Sequence, residues 1–434
     1  MLVLHLIILF GAIILGARKG SIGIGMAGGL GVLLLGLTGI NVDREQIPWD
    51  VIGIIMAVIA AIAAMQRVGG MDYLVYLAEK LLRSNPKRVT FYAPVVTYLM
   101  TLLAGTGHTA FSTLPVISEV AKEGGVRPSR PLSAAVVMSQ VAITASPISA
   151  AVVLMADLLA PEGVDYLKIL AVIIPATALA IIPTALVANM LGKPLDQDPV
   201  YQKRLEEGLV SHPDHSGYTP TAAAKRSVAI FLGAVVIVMA YATMISDQVG
   251  LIAEPHLGRN EAIMAIMLAA GLIILASGKA SAADVLETPV FRSGMSACVC
   301  VLGVAWLGTT FIDHYLEDIT GVAGDVLDAA PWLLAVVLFL AASLLYSQAA
   351  TTKALMPAAL AIGVSPLTAL AAFPAVSALF VLPTYPTLLA AVEMDDTGST
   401  RIGNYVFNHP FLIPGIVGIA SSVALSYGIG ALIL

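Results

Sequence analysis

A small set of polar side chains falls where an otherwise apolar sequence should have none. Thr106, His108 and Thr109 lie in the run Gly105-Thr106-Gly107-His108-Thr109, and Ser146 and Ser149 in Thr144-Ala145-Ser146-Pro147-Ile148-Ser149. Ser347, Gln348, Thr351 and Thr352 follow in a second run, with Lys353 next to it, and Thr384 and Thr387 lie in Leu382-Pro383-Thr384-Tyr385-Pro386-Thr387. None of these runs contains Asp or Glu, and Lys353 is the one fixed charge. Hydroxyls, an amide, an imidazole and one ammonium make a donor-rich set. It suits a small organic anion rather than a metal ion or a proton wire. Two matched pairs of runs suit an anion with a carboxylate at each end. Each position also has a plainer reading. A membrane Ser or Thr often bonds its own i−4 carbonyl or glues helices together. His108 can be a packing histidine, and Lys353 can snorkel to the surface.

These residues need elements to hold them, and the composition says which kind. Of 434 residues, 58% are hydrophobic and only 12% charged, with a mean hydropathy of +0.92. A soluble domain carries about a quarter of its residues as charges. Apolar runs of about 20 residues recur from end to end, the pattern of transmembrane helices. The chain therefore reads as an all-α polytopic membrane protein in a lipid bilayer. The net charge of −6 is spread over loops, so no nucleic acid or other polyanion is expected as partner. The chain starts on an apolar segment without a basic leader region, so no cleaved signal peptide is expected. Cys298 and Cys300 lie inside an apolar run and read as packing residues.

The polar stretch 192–226 divides the chain into halves, 1–191 and 227–434. Sliding one half over the other by about 240 residues aligns a series of landmarks. Thr109 meets Thr351, Pro115 meets Pro357, Pro131-Leu132 meets Pro366-Leu367, and Pro147 meets Pro386. The order of the matches points to an internal duplication. Segments 110–121 and 354–362 would span about 18 and 14 Å as helices, too short for a core of about 30 Å. They close re-entrant hairpins over 88–121 and 331–362. Each hairpin precedes a long helix, 131–157 or 366–393, broken by proline near its middle. Such a break is tolerated in a membrane only in protein or beside a wet cavity. The expected fold is about 10 transmembrane helices plus two re-entrant hairpins. With five crossings per half and the N-terminus outside, only Arg44, Lys168 and Arg259 of the 22 Lys and Arg fall outside and Lys353 lies within the bilayer. All the others are cytoplasmic, as the positive-inside rule requires. Five is odd, so the second half is inverted relative to the first, and both termini are periplasmic.

Several motifs do not carry chemistry. Gly23-Ile24-Gly25-Met26-Ala27-Gly28 has GxGxxG spacing but lies in a membrane segment rather than after a strand. Gly25-xxx-Gly29 reads better as close helix packing. There is no HExxH, GxSxG or Walker loop, so neither an enzyme nor an ATP-driven pump is expected, and no cofactor or metal. Residues 70–83 alternate apolar and charged faces as an amphipathic helix at the cytoplasmic surface or against a partner subunit.

Longer runs are distinctive as whole strings. AGTGHTAFSTLPVISEVAKEGGVRPSRPLS from Ala104 and SQVAITASPISAAV from Ser139 resemble the Dcu family of anaerobic four-carbon dicarboxylate transporters. So do LYSQAATTKALMPAALA from Leu345, LPTYPTLLAAV from Leu382 and DDTGSTRIG from Asp395. The resemblance covers essentially the whole chain. SQAATTKALMP looks most like the A-type branch, and His108 within GTGHT is closer to the B-type. The resemblance implies an ion-transporter fold with a scaffold and an elevator-like mobile unit, usually a homodimer, in the bacterial inner membrane. It also implies exchange of fumarate, malate or aspartate against succinate in anaerobic respiration. The substrate-contact set is then the polar residues named above. The rival readings are a proton- or sodium-coupled dicarboxylate symporter, a carrier that is also partner to a membrane sensor kinase, and an anion channel.

Overall fold

The computed structural model describes all residues except 20–21, 48, 106, 108–109, 111–112, 211–218, 246–250, 253–254, 316–329, 346, 382–384 and 404–407. Apolar sequence that must satisfy its own backbone in lipid has only helices and closed barrels open to it. Here every regular element among the described residues is helical. The helices are α1 (Leu2–Lys19), α2 (Gly23–Leu37), α3 (Trp49–Arg67), α4 (Gly70–Arg83), α5 (Val89–Ala104) and α6 (Leu114–Glu123). Then come α7 (Ser129–Val141), α8 (Ala150–Leu159), α9 (Tyr166–Met190), α10 (Pro199–Glu206), α11 (Ala222–Met244) and α12 (Arg259–Gly278). The last are α13 (Pro289–His314), α14 (Leu333–Leu345), α15 (Gln348–Ala361), α16 (Pro366–Ala372), α17 (Pro386–Glu393) and α18 (Leu412–Ile433).

Among the described residues, six spans are long and apolar enough to cross a membrane. They start at Ser129, Tyr166, Ala222, Arg259, Val290 and Leu412. A seventh is available if α3 and α4, bent by 77°, count as one. Gly69 makes that bend with φ +87, a backbone state that only glycine adopts cheaply. Past the bend, α4 is amphipathic as expected. Met71, Ala78 and Leu82 face the protein, while Leu77 and Leu81 lie exposed beside them. Bare apolar faces on α9 (Leu179, Ile182, Leu186) and α12 (Leu268, Leu272, Ile273) are what lipid would cover.

The helices pack in two groups. In one, α2 lies on α1 and α13, α3 lies on α12 and α13, and α11 joins α12 and α4. Its closest crossing is α2 on α13, where a Cβ on Gly303 would lie 1.8 Å from the Gly25 carbonyl oxygen. Gly25 and Gly28 make this contact, and Gly29 faces open space. The expected pair was Gly25 and Gly29. The helix–helix approach reads positions three apart, not four. The other group centres on α9 packed along α18, with α5, α7 and α16 against them. α7 is buried on every side from Pro131 to Val141, as are residues 368–377 after the start of α16. A helix buried all round has no lipid stripe. These two segments are therefore the interior of the molecule. α15 and α8 bridge the groups: α15 packs on α13 and α8, and α8 packs on α3.

Candidate functional site

Both interior segments lose their helix at corresponding places. After α7 the chain tightens to a 3₁₀ turn over Ala142–Ala145, becomes extended at Ser146, and restarts as α8. After α16 it tightens over Phe373–Ser377 and restarts as α17. Proline accounts for both, since Pro147, Pro374 and Pro386 cannot donate to the ladder. The two 3₁₀ turns pack against each other, so the breaks meet inside the protein.

Side chains tie the surrounding elements to this point. Ser149 caps α8, accepting from the Val152 N–H at 3.2 Å and donating to the Ile143 carbonyl at 2.7 Å. It thus closes the first break on itself. Gln140, just before that break, donates from Nε2 to Thr387 Oγ1 in the first turn of α17, at 3.3 Å. Gln348, in the first turn of α15, donates from Nε2 to the Gln140 carbonyl at 3.2 Å. The tip after α5 is also near. A Cβ on Gly105 would lie 2.9 Å from Ile148 Cγ1, and one on Gly107 would lie 3.4 Å from Ile143 Cδ1. Thr106, His108 and Thr109 of this tip, and Thr384 of the second break, lie outside the described residues.

The remaining expected site residues fall into distinct states. Ser146 is fully buried, and its Oγ has no hydrogen-bond partner among the described residues. Ser347 caps α15 through the Ala350 N–H at 3.2 Å, and its own hydroxyl hydrogen stays uncommitted to that bond. Thr351 and Thr352 donate at 2.8 Å to the carbonyls of Ser347 and Gln348, four residues back. As they stand they offer lone pairs rather than hydrogens. The run 347–353 is accordingly the cap and opening turns of a helix, not a loop at a hairpin tip. Lys353 is half-buried. It is in none of the ion pairs among the described residues.

Sequence reasoning missed two residues. Gln140 Oε1 and Ser377 Oγ are buried without partners among the described residues, like Ser146 Oγ. Buried polar atoms nearly always have a partner, and these three, among others elsewhere in the protein, leave hydrogen-bonding capacity unused at or beside two adjoining breaks. The signal for Gln140 was available: an amide inside an apolar membrane run is costly and therefore informative. Helix N-termini at α8 and α15 add a positive dipole end that favours an anion. Among the described residues, no group of three or more His, Cys, Asp or Glu is arranged to hold a metal ion.

The string DDTGSTRIG folds as a compact ionic knot away from the breaks. Asp395 is buried and accepts from the Ser399 hydroxyl at 2.8 Å and the Thr400 N–H at 2.6 Å. Asp396 pairs with Lys122 at the end of α6 at 2.8 Å. Arg127 pairs with the buried Asp198 and donates to Ser129 Oγ at 2.9 Å. Arg401 also reaches Asp198, at 3.4 Å. Burial pushes the Asp198 carboxyl up. The Val200 N–H and the Arg127 guanidinium outweigh it and hold the group below the usual carboxylate range. The knot fixes the stretch before α10 to the start of α7 and the loop after α17.

Comparison with known proteins now settles the kinship. The family of anaerobic C4-dicarboxylate membrane transporters, DcuA and DcuB, matches over residues 1–434. The chain belongs to this family. It is 58% identical over 434 residues to the C4-dicarboxylate transporter DcuA of Wolinella succinogenes, covering 100% of both chains. It is 55% identical over 435 residues to DcuA of Escherichia coli K12, again covering 100% of both. An anaerobic C4-dicarboxylate transporter DcuB of E. coli is 38% identical over 440 residues, covering 98% of this chain and 97% of that one. Among solved structures, the fold resembles Neisseria gonorrhoeae MtrF, of a class of antimetabolite efflux pumps, with a TM-score of 0.55 and 14% identity. That likeness covers 91% of this chain and 84% of MtrF. The Alcanivorax borkumensis YdaH transporter is similar at a TM-score of 0.53 and 14% identity, covering 90% and 86%. These last two speak to the fold alone. The chain is thus a multi-pass membrane protein of a transporter family, with its A-type relatives at higher identity than the B-type.

Proposed function

We propose that the protein exchanges four-carbon dicarboxylates across the bacterial inner membrane by alternating access, taking up fumarate, malate or aspartate against succinate. The observation that carries this reading is the buried meeting of two broken helices whose break sequences contain no Asp or Glu, with Ser146 and Ser377 hydroxyls that have no partner among the described residues. The cluster offers donors and two helix N-termini, which is the chemistry of an anion site. Lys353 supplies the charge for one carboxylate end. The names of the DcuA relatives agree with a C4-dicarboxylate as the cargo.

The two successions of helix, 3₁₀ turn, break and helix support an inverted duplication of about 1–191 and 227–434 around the linker 192–226. In this arrangement ten helices cross, hairpins 88–121 and 331–362 re-enter, and both termini are periplasmic. The group around α9 and α18 moves as an elevator against the group around α2, α3 and α13, in a homodimer. Exchange of fumarate or malate for succinate trades one dianion for another and moves no net charge, so it needs no sodium or proton. Aspartate, a net monoanion at neutral pH, moves one charge against succinate. Counterflow in proteoliposomes tests the cargo. Labelled succinate should accumulate in vesicles loaded with fumarate, malate or aspartate and not in vesicles loaded with acetate or glutarate. Equal accumulation against every internal anion would refute it.

A further inference from the structure

Each break leaves a backbone carbonyl outside the helical ladder, and in each case a side chain at or just before the start of the next long helix donates back to it. Tyr166 is the first residue of α9. It is buried, and its hydroxyl donates to the Pro147 carbonyl. His409 lies three residues before α18. It too is buried, and its Nε2 donates to the Val381 carbonyl at 3.2 Å. The donors come from 19 and 28 residues away in sequence, so neither bond is a by-product of local turn geometry. They occupy matching places, each at the start of a long helix that follows a break, and these two helices pack along each other.

The first anchor is itself braced. The Arg259 guanidinium sits 5.5 Å from the centroid of the Tyr166 ring. Arg259 also pairs with Asp157 near the end of α8. Pro147 is flanked by Ser146, whose hydroxyl is uncommitted, and lies two residues before the Ser149 cap. A shift of the Pro147 carbonyl therefore moves Ser146 Oγ and the N-terminus of α8 together.

We propose that Tyr166 and His409 are positioning residues for substrate binding, each holding one freed carbonyl so that the polar groups of its break stay aimed at the substrate. Neither touches substrate itself. The inference rests on the reading of the two breaks as the substrate site. Loss of either donor should loosen a preformed binding geometry and raise KM, while the carrier's turnover changes little.

The test uses variants of the full-length protein in proteoliposomes, read by initial rates of succinate–fumarate exchange. Tyr166→Phe keeps the ring and its contact with Arg259 and removes only the hydroxyl. His409→Leu keeps bulk without a donor, and His409→Gln restores an N–H. Tyr166→Phe and His409→Leu should each raise KM about tenfold, the effect of one hydrogen bond, with maximal rate within about twofold of the parent. His409→Gln should recover most of the loss. A side chain that served only for packing would make Gln the worse replacement. Unchanged KM in Tyr166→Phe and His409→Leu, or Gln as damaging as Leu, overturns the proposal. Hydrogen exchange in detergent gives a reading that needs no transport. Amides of 146–152 should exchange faster in Tyr166→Phe than in the parent, and equal rates would overturn the anchor. Failure of the parent to exchange dicarboxylates would instead refute the transport reading and leave the amide result to judge the anchor.

Discussion

Replacing Ser146 with alanine should raise the stability of the substrate-free protein and at the same time weaken its hold on dicarboxylates. Ser146 is 0% exposed, and its hydroxyl has no partner among the described residues. A buried, unsatisfied polar group costs about 1–3 kcal/mol, and alanine removes that cost with the loss of one atom of packing. With substrate bound, the same hydroxyl donates to a carboxylate, which is worth about 1.5–3 kcal/mol and corresponds to about 10–100-fold in affinity. The two effects have opposite signs, which separates a binding hydroxyl from a packing one. Thermal unfolding followed by intrinsic fluorescence, with and without succinate, reads both. At succinate about 100 times the parent Kd, ligand stabilisation is about 2.7 kcal/mol. A variant about 30-fold weaker would keep only about 0.9 kcal/mol. A variant that melts lower than the parent and keeps the full succinate-induced rise would refute the argument.

Four further outcomes follow from particular residues. Asp157 on α8 pairs with Arg259 on α12, so cysteines at both positions, in a chain with Cys298 and Cys300 replaced, should block exchange on oxidation and restore it on reduction. Full exchange in the cross-linked protein would show that these elements need not separate. Arg127→Met leaves the buried Asp198 with Arg401 at 3.4 Å as its one cation, beside the Val200 N–H, and should cost about 3–5 kcal/mol, measurable as a lower melting temperature that Asp198→Asn partly restores. Because the folded Asp198 carboxyl lies below its unfolded value, its stabilisation is present above about pH 4 and lost as pH falls through the folded value. The acid-side drop in melting temperature should therefore be shallower in Asp198→Asn than in the parent. Lys353→Ala should weaken dianions more than monocarboxylates, because only a dianion loses a second charge-assisted contact, and equal weakening would return Lys353 to a surface-seeking role.

The membrane class and the break at Ser146-Pro147 were readable because apolar length and proline act locally along the chain; the second segment, expected to break at 382–387, already leaves the α-helix at Phe373. The same holds for the α4 amphipathic face and for the kinship, which rests on long continuous strings. Contacts across the fold were not readable. Arg127 and Asp198 are 71 residues apart, and nothing in either neighbourhood names the other. Gln140 stood out as an amide in an apolar run, but its bonds to Thr387 and from Gln348 join separate elements and could not be read from the sequence. The stretch 347–353 looked like a loop because it is polar. Ser347 in fact accepts from Ala350 and starts a helix, which turns the Thr351 and Thr352 hydroxyls back onto their own turn. Gly25, Gly28 and Gly29 are equivalent in composition, and only the approach of Gly303 on α13 selects the first two.

The most direct test of dianion-for-dianion exchange is electrical. Proteoliposomes loaded with succinate and placed in fumarate should be read for labelled-substrate exchange while a potassium diffusion potential is imposed. One elementary charge crossing 100 mV is worth about 2.3 kcal/mol, so a charge-moving cycle would shift the rate many-fold. We expect rapid exchange whose rate is the same at either sign of the potential, with no uptake into vesicles lacking an internal dicarboxylate. Potential-driven current, or uptake into empty vesicles powered by sodium or protons, would contradict it.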